Sequence, residues 1–316
     1  MRRLVLTGLI VLAALAVALL VPEVRSEVRA LIRPEPPAPI TPLALATVPP
    51  RPPPRAPATP TATTPPTARA TAAAATSSPA TATPSPAPTD TPLPTPTPGP
   101  VVVNGRVYDA YIPAASKEGQ FYQYSCEFDA AWVILATYGI DASFEEMLAA
   151  IGTDNRVEPY IEETSQGFLI HGGDIATSFS GDYTKNFLAR STGAAFRKVF
   201  AHYGLEAGPV HDRAGIEAAL RRGALVWMKT TVDFKPWRPA TWVTPEGATF
   251  QTVLGNDHAV VVIGFNQDVV VIRDVLGPTS SNRQRPYEYE VSWEAFLASW
   301  GAQAYDGLAV EPPAGG

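Results

Sequence analysis

The chain holds a single cysteine, Cys126, among 316 residues. One cysteine excludes an internal disulfide and any cysteine-based zinc or iron–sulfur site within one chain. The chemistry left to it is that of a nucleophile. Cys126 opens an apolar run to Tyr138, with Ser125 before it, Glu127 and Asp129 in the first turn and Gly139 after it. That pattern predicts a helix beginning at the cysteine. The unpaired amides and dipole there favour a thiolate and lower the thiol pKa. The plain alternative is an inert buried cysteine, acting as a small hydrophobe.

A base is offered by His258, which begins a valine-rich strand to Phe265, and Asp274 ends the next strand 16 residues later. If a three-residue loop, Phe265–Gln267, joins them, position i faces 532 − i and His258 lies opposite Asp274. Their Cβ atoms would then be about 4.5–5.5 Å apart. A two- or four-residue loop would put Asp274 on the other face. An oxyanion donor is offered by Gln120, six residues before the cysteine, with Gln123 as its rival; either is otherwise a surface glutamine. His171, His202 and His211 have no metal-ligand spacing and read as surface or capping residues.

The elements that must position these groups are legible from about residue 101. Ser143-Phe144-Glu145-Glu146 is a capping box opening a short helix that Gly152 closes. Two further helices, near 193–203 and 213–222, end at Gly204 and Gly223. Strands are expected at Ala224–Thr231, Ala248–Val253, His258–Phe265, Asp268–Asp274, Tyr287–Val291 and Ala304–Val310, with a short helix at 293–300. Helices first and antiparallel strands later predict an α+β domain over 101–316. The aromatic insert Phe234–Trp242 either overhangs a cleft or forms a minicore under a long loop.

The first hundred residues are of another kind. Residues 34–100 hold 23 of the 34 prolines, with many Thr and Ala, so this stretch reads as a disordered Pro/Thr/Ala-rich linker that forms no core. Residues 1–33 read as a membrane anchor. Its uncharged span, Leu4–Val21, would be about 27 Å long as a helix, and a cleaved secretory signal is the competing reading. The stalk favours a cytoplasmic N-terminus and an extracytoplasmic domain. Residues 101–316 carry 16 basic and 26 acidic residues with no basic run, which argues against nucleic acid as a partner.

The segment Gln120-Phe121-Tyr122-Gln123-Tyr124-Ser125-Cys126-Glu127, running into Ala130, Ala131 and Tyr138-Gly139, resembles the start of the C39-like, papain-fold cysteine peptidases. Gly255-Asn256-Asp257-His258 running to Gly264-Phe265 is similar to their histidine strand. Arg273-Asp274 falls where that family has its acidic triad member, and Trp242 to Gly247 resembles an insertion ahead of the histidine. The likeness covers roughly 107–310. It implies a papain-like fold of N-terminal helices packed on an antiparallel sheet. It also implies Cys126 as nucleophile, His258 as base and acid, Asp274 as its orienter and Gln120 as oxyanion donor. The family commonly has proline after the aspartate, where this chain has Val275.

The expectation is therefore a membrane-anchored extracytoplasmic cysteine hydrolase acting on peptide or cell-wall amide bonds. It would use an acyl-thioester, need no cofactor or metal, and work as a monomeric domain. A catalytically weak peptide- or wall-binding module is the alternative from another class. A murein endopeptidase or acyl transferase on the same fold is a second.

Overall fold

Valine-rich strands that read apolar at every position are those covered on both faces, and the domain is organised around two of them. A computed structural model describes residues 99–314; the expected anchor at 1–33 and nearly all of the expected linker lie outside the described residues. Strands β1 (Val101–Val103), β2 (Arg106–Tyr108) and β3 (Ala110–Tyr111) come first, then α1 (Cys126–Thr137) and α2 (Phe144–Ile151). A hairpin, β4 (Tyr160–Thr164) and β5 (Gly167–His171), leads to α3 (Gly193–His202), β6 (Ala207–Pro209) and α4 (Arg213–Arg221). The remainder is β7 (Leu225–Thr231), β8 (Pro239–Val243), β9 (Thr249–Val253), β10 (Asp257–Phe265), β11 (Val269–Arg273), β12 (Glu288–Ser292), α5 (Trp293–Gly301) and β13 (Gly307–Val310).

The main sheet is antiparallel, in the order β12-β11-β10-β7-β13-β6, with β3 also paired to β10. Every residue of β7 is buried, its apolar start Leu225–Met228 and the polar Lys229, Thr230 and Thr231 alike. The helix α1 is buried nearly all round, from Cys126 to Leu135. It packs on β10 and β7, as a helix without a polar face must. Its far end is pinned by Tyr138, whose hydroxyl donates to the Val310 carbonyl at 2.7 Å and accepts from the Leu225 amide at 2.9 Å. On the same layer Phe196 of α3 stacks on Trp227 of β7, ring centroids 5.0 Å apart. Among the described residues no helix is long and apolar enough to cross a membrane.

A second, four-stranded sheet, β4-β5-β8-β9, is antiparallel except for the parallel pair β5–β8. It carries a satellite core of Ile170, Ile175, Leu188, Ala240, Trp242 and Leu254. Trp242 of the aromatic insert therefore forms a minicore, while Trp237 is half exposed over Gly255. The order of elements differs from the expected helices-then-strands. The strands β1–β3 and β6 escape the sequence reading because they are two or three residues long, and β4 because it is mostly exposed; β5 and β8 also lie outside the expected strands.

The capping box at α2 is present in both directions. Ser143 Oγ accepts from the Glu146 amide and Glu146 Oε2 from the Ser143 amide, each at 3.2 Å. Replacing Ser143 with Ala removes the first of these bonds, and the variant should lose about 1 kcal/mol of unfolding free energy in urea titration.

Candidate active site

The loop ahead of α1 is held by one buried carboxylate. Asp129 Oδ1 accepts from the Phe121 amide at 3.0 Å and pairs with Lys117 at 3.2 Å, while Oδ2 accepts from Ser125 Oγ at 2.7 Å. Ser125 in turn accepts from the Tyr122 amide. It thus ties the loop down and does not cap the helix with its side chain. Burial pushes the Asp129 carboxyl up to about 6, against the pull of Ser125 and Lys117. The amide of Gly119 donates to the carbonyl of Val275, one residue past Asp274.

These ties set Gln120 beside Cys126. Its carboxamide is satisfied at both ends when its oxygen accepts from the Cys126 backbone N–H at 3.2 Å and its nitrogen donates to the Gln123 carbonyl at 3.3 Å. The side chain of Gln123, the rival, points elsewhere and donates to Tyr124 Oη at 3.0 Å.

His258 and Asp274 are in direct contact, Nε2 to Oδ1 at 2.8 Å, with both side chains buried. The pairing that achieves this differs from the expected register. Four residues separate the innermost pair of the hairpin, Phe265 and Val270, which alone would turn Asp274 to the other face. A β-bulge between Val262 and Gly264 inserts one residue and restores the parity, so that Val261 faces Arg273. His258 and Asp274 then meet diagonally on one face. The start of β10 also needs Asn256 at φ +52°, a left-handed conformation that asparagine tolerates.

Asp274 is held from three further directions. Tyr289 Oη donates to Oδ2 at 2.7 Å, the Leu276 amide donates to Oδ1 at 2.8 Å, and Arg285 lies 3.4 Å from Oδ2. Burial opposes its charge, but His258, then Arg285 and Tyr289, outweigh it and hold the carboxyl well below the usual carboxylate range. A carboxylate facing Nε2 requires that nitrogen to carry the proton, which leaves Nδ1 as the basic nitrogen.

The thiol departs from expectation. Cys126 Sγ donates to Glu127 Oε2 at 3.2 Å, and among the described residues no hydrogen bond joins it to His258. Burial, and then the Glu127 carboxylate, push the thiol well above its ordinary value, with Lys229 working the other way. The helix N-terminus thus does not produce a free thiolate here. The sequence marks Glu127 only as a first-turn acid, but its side chain is fully buried.

Glu127 belongs to a buried chain of charges. Its Oε1 lies 2.6 Å from Lys229 Nζ, which lies 2.7 Å from Asp257 Oδ2; Asp257 Oδ1 accepts from Gln303. Burial works against the charge on Lys229, but Asp257 and Glu127 on either side raise its pKa. The Asp257 carboxyl is lowered: burial opposes this, and Lys229 and then Arg190 overcome it. Glu127 follows the cysteine and Asp257 precedes the histidine, so Lys229 bridges the two halves of the site. A lysine inside the apolar run of β7 is the signal that could have revealed it. A cavity of about 340 Å³ adjoins this bridge, lined by Lys229, Arg190, Thr252 and Gln303 with Ile175 and Phe250.

Of the other histidines, His171 pairs with Glu162 at 2.6 Å and stacks on Tyr160, and His202 packs edge-on to Tyr203. Asp212, after His211, caps α4 through the Gly215 amide at 2.7 Å.

Comparison with known proteins bears on this arrangement. No curated protein matches the chain. Among solved structures, a candidate C39-like peptidase from Bacillus anthracis superposes with a TM-score of 0.50 at 17% identity, covering 65% of this chain and 98% of that one. At that identity the likeness is one of fold. The model of the Peptidase_C39 like family matches residues 111–307, well over half of the chain and inclusive of Gln120, Cys126, His258 and Asp274. The chain belongs to the Peptidase_C39 like family.

Proposed function

We propose that the domain is a papain-like cysteine hydrolase cleaving peptide or amide bonds, with Cys126 as nucleophile, His258 as base and acid, Asp274 as orienter and Gln120 as oxyanion donor. The observation that carries this reading is the His258–Asp274 contact at 2.8 Å, which orients the ring and leaves Nδ1 as the proton acceptor. In the reaction Cys126 Sγ attacks the carbonyl carbon while its proton passes to Nδ1. The oxyanion is met by the Cys126 backbone N–H and by Gln120 Nε2, once the carboxamide turns its nitrogen toward it. His258 then protonates the leaving amine, whose departure leaves the acyl-thioester. Water, deprotonated by Nδ1, attacks that carbonyl, and the C–S bond breaks to release the acid and the thiol. The cavity beside Lys229 is of a size to hold a substrate side chain.

In the cell, the N-terminal apolar span and proline-rich stretch would act as anchor and stalk, holding the domain outside the membrane. An alkaline phosphatase fused to the C-terminus should be active in intact cells; an inactive fusion beside a working cytoplasmic reporter would contradict that topology. A second reading, a peptide- or wall-binding domain with little turnover, is favoured by the thiol's contact with Glu127 in place of His258.

Hydrolysis of peptide and murein libraries separates the two. As an enzyme, the wild type turns over, while Cys126→Ser and His258→Ala fall to background with unchanged circular dichroism. A Cys126→Ser variant as active as the wild type would sink the assignment. Asp274→Ala removes the acceptor that holds the ring and its Nε2–H tautomer, so kcat should fall by about 10²–10⁴. Gln120→Ala should lose about 10²–10³ in kcat with KM little changed.

A further inference from the structure

The Cys126 thiol is held by a side chain for which neither the triad nor the oxyanion donors account. Glu127 is the residue next to the nucleophile and is fully buried. A buried carboxylate is retained only where it is paired, and Glu127 is paired twice. Its Oε1 meets Lys229 at 2.6 Å and, at 3.4 Å, the Ser191 amide. Its Oε2 takes the thiol. The salt bridge therefore fixes one oxygen, and the geometry of the carboxylate then presents the other to Sγ. Lys229 in turn is fixed by Asp257, and Asp257 by Gln303. The thiol acceptor is thus rigidly held from β7, from β10 and from the turn after α5.

We infer that Glu127 is a positioning residue that holds Cys126 at rest as a neutral thiol turned away from His258, so that the nucleophile is released only when its side chain rotates. This inference rests on the proposed catalytic use of Cys126 and His258. Rotation breaks the Sγ–H···Oε2 bond and carries the proton toward Nδ1 of His258, the nitrogen not used by Asp274. The bond at Glu127 and the carboxamide of Gln120, folded onto the Cys126 N–H, describe one resting arrangement in which nucleophile and oxyanion donor are both occupied internally. A substrate carbonyl competes for the Cys126 N–H and so displaces the carboxamide oxygen. The charged groups around the thiol are Glu127 on its own helix, Lys229 on β7, Asp257 on β10 just before His258, and Arg190 and Asp306 beyond them.

The test is the rate of iodoacetamide alkylation of Cys126 in the full chain as a function of pH, which needs no substrate. Only the thiolate reacts, so in the rising limb the rate changes tenfold per pH unit. A negative neighbour raises the thiol midpoint. Its neutralisation in Glu127→Gln should therefore lower the midpoint by at least one unit and speed alkylation about tenfold at pH 6.5. Adding His258→Ala to Glu127→Gln should move the midpoint back up, because the released thiol then lacks its new partner. A Glu127→Gln profile that overlays the wild type would overturn the inference, as would a double variant indistinguishable from Glu127→Gln. Should Glu127→Gln not fold, the infrared S–H band of the wild type, taken as a difference against Cys126→Ser, decides the matter. A band that persists past about pH 9.5 is expected, and its loss near the ordinary thiol pKa of about 8.5 refutes a thiol held neutral by Glu127. Peptide turnover is read separately, so an inactive wild type with the expected alkylation shifts would count against the proposed hydrolase and not against the role of Glu127.

Discussion

The site depends on a lysine buried between two carboxylates. Lys229 leaves β7 to meet Glu127 and Asp257 at 2.6 and 2.7 Å. These are the residues immediately after the cysteine and immediately before the histidine. Each charge taken alone would cost several kcal/mol to bury, so each is tolerable only where the other two are present. The cluster thus stabilises the domain little in net terms, but it penalises any arrangement in which α1 and β10 slide apart. Removing one member leaves the others uncompensated, a loss of about 3–5 kcal/mol in comparable pairs. Helix and strand are held in register by an electrostatic constraint next to the chemistry.

A second constraint acts on His258. His258 and Asp274 share a face only because the bulge between Val262 and Gly264 cancels the parity of the four-residue turn. Tyr289, Arg285 and the Leu276 amide then hold the carboxylate in its ionised form. Where the family commonly follows the aspartate with proline, this chain has Val275, and its carbonyl takes the Gly119 amide from the loop that carries Gln120. Asp274 and Gln120 are consequently joined through the backbone of their neighbours, Val275 and Gly119.

Much of this was legible in the sequence, and the failures have physical causes. The α1 boundaries, the Ser143 box and the strands β7, β9, β10 and β11 follow from capping residues, glycine stops and runs of valine. The contact between His258 and Asp274 was also foreseen, but through a three-residue loop; composition does not mark a bulge in a uniformly apolar strand. The thiol lies above its ordinary value where the helix terminus alone predicts a lower one, because burial of the thiol, and then the inward-turned Glu127 carboxylate, depend on long-range packing that local position does not mark. The strand β5 escapes because its partner β8 is parallel and distant in sequence, and β4 because exposed residues such as Tyr160 and Ile161 give no stripe.

Under the proposed mechanism Cys126 carries an acyl group during turnover. Incubating the purified full chain with an activated peptide ester, followed by intact mass measurement and peptide mapping, tests it most directly. One acyl group per chain is expected, on Cys126, removed by neutral hydroxylamine and absent from the Cys126→Ala variant. A chain that stays unmodified while it hydrolyses the ester, or an adduct mapped to any other residue, would contradict it.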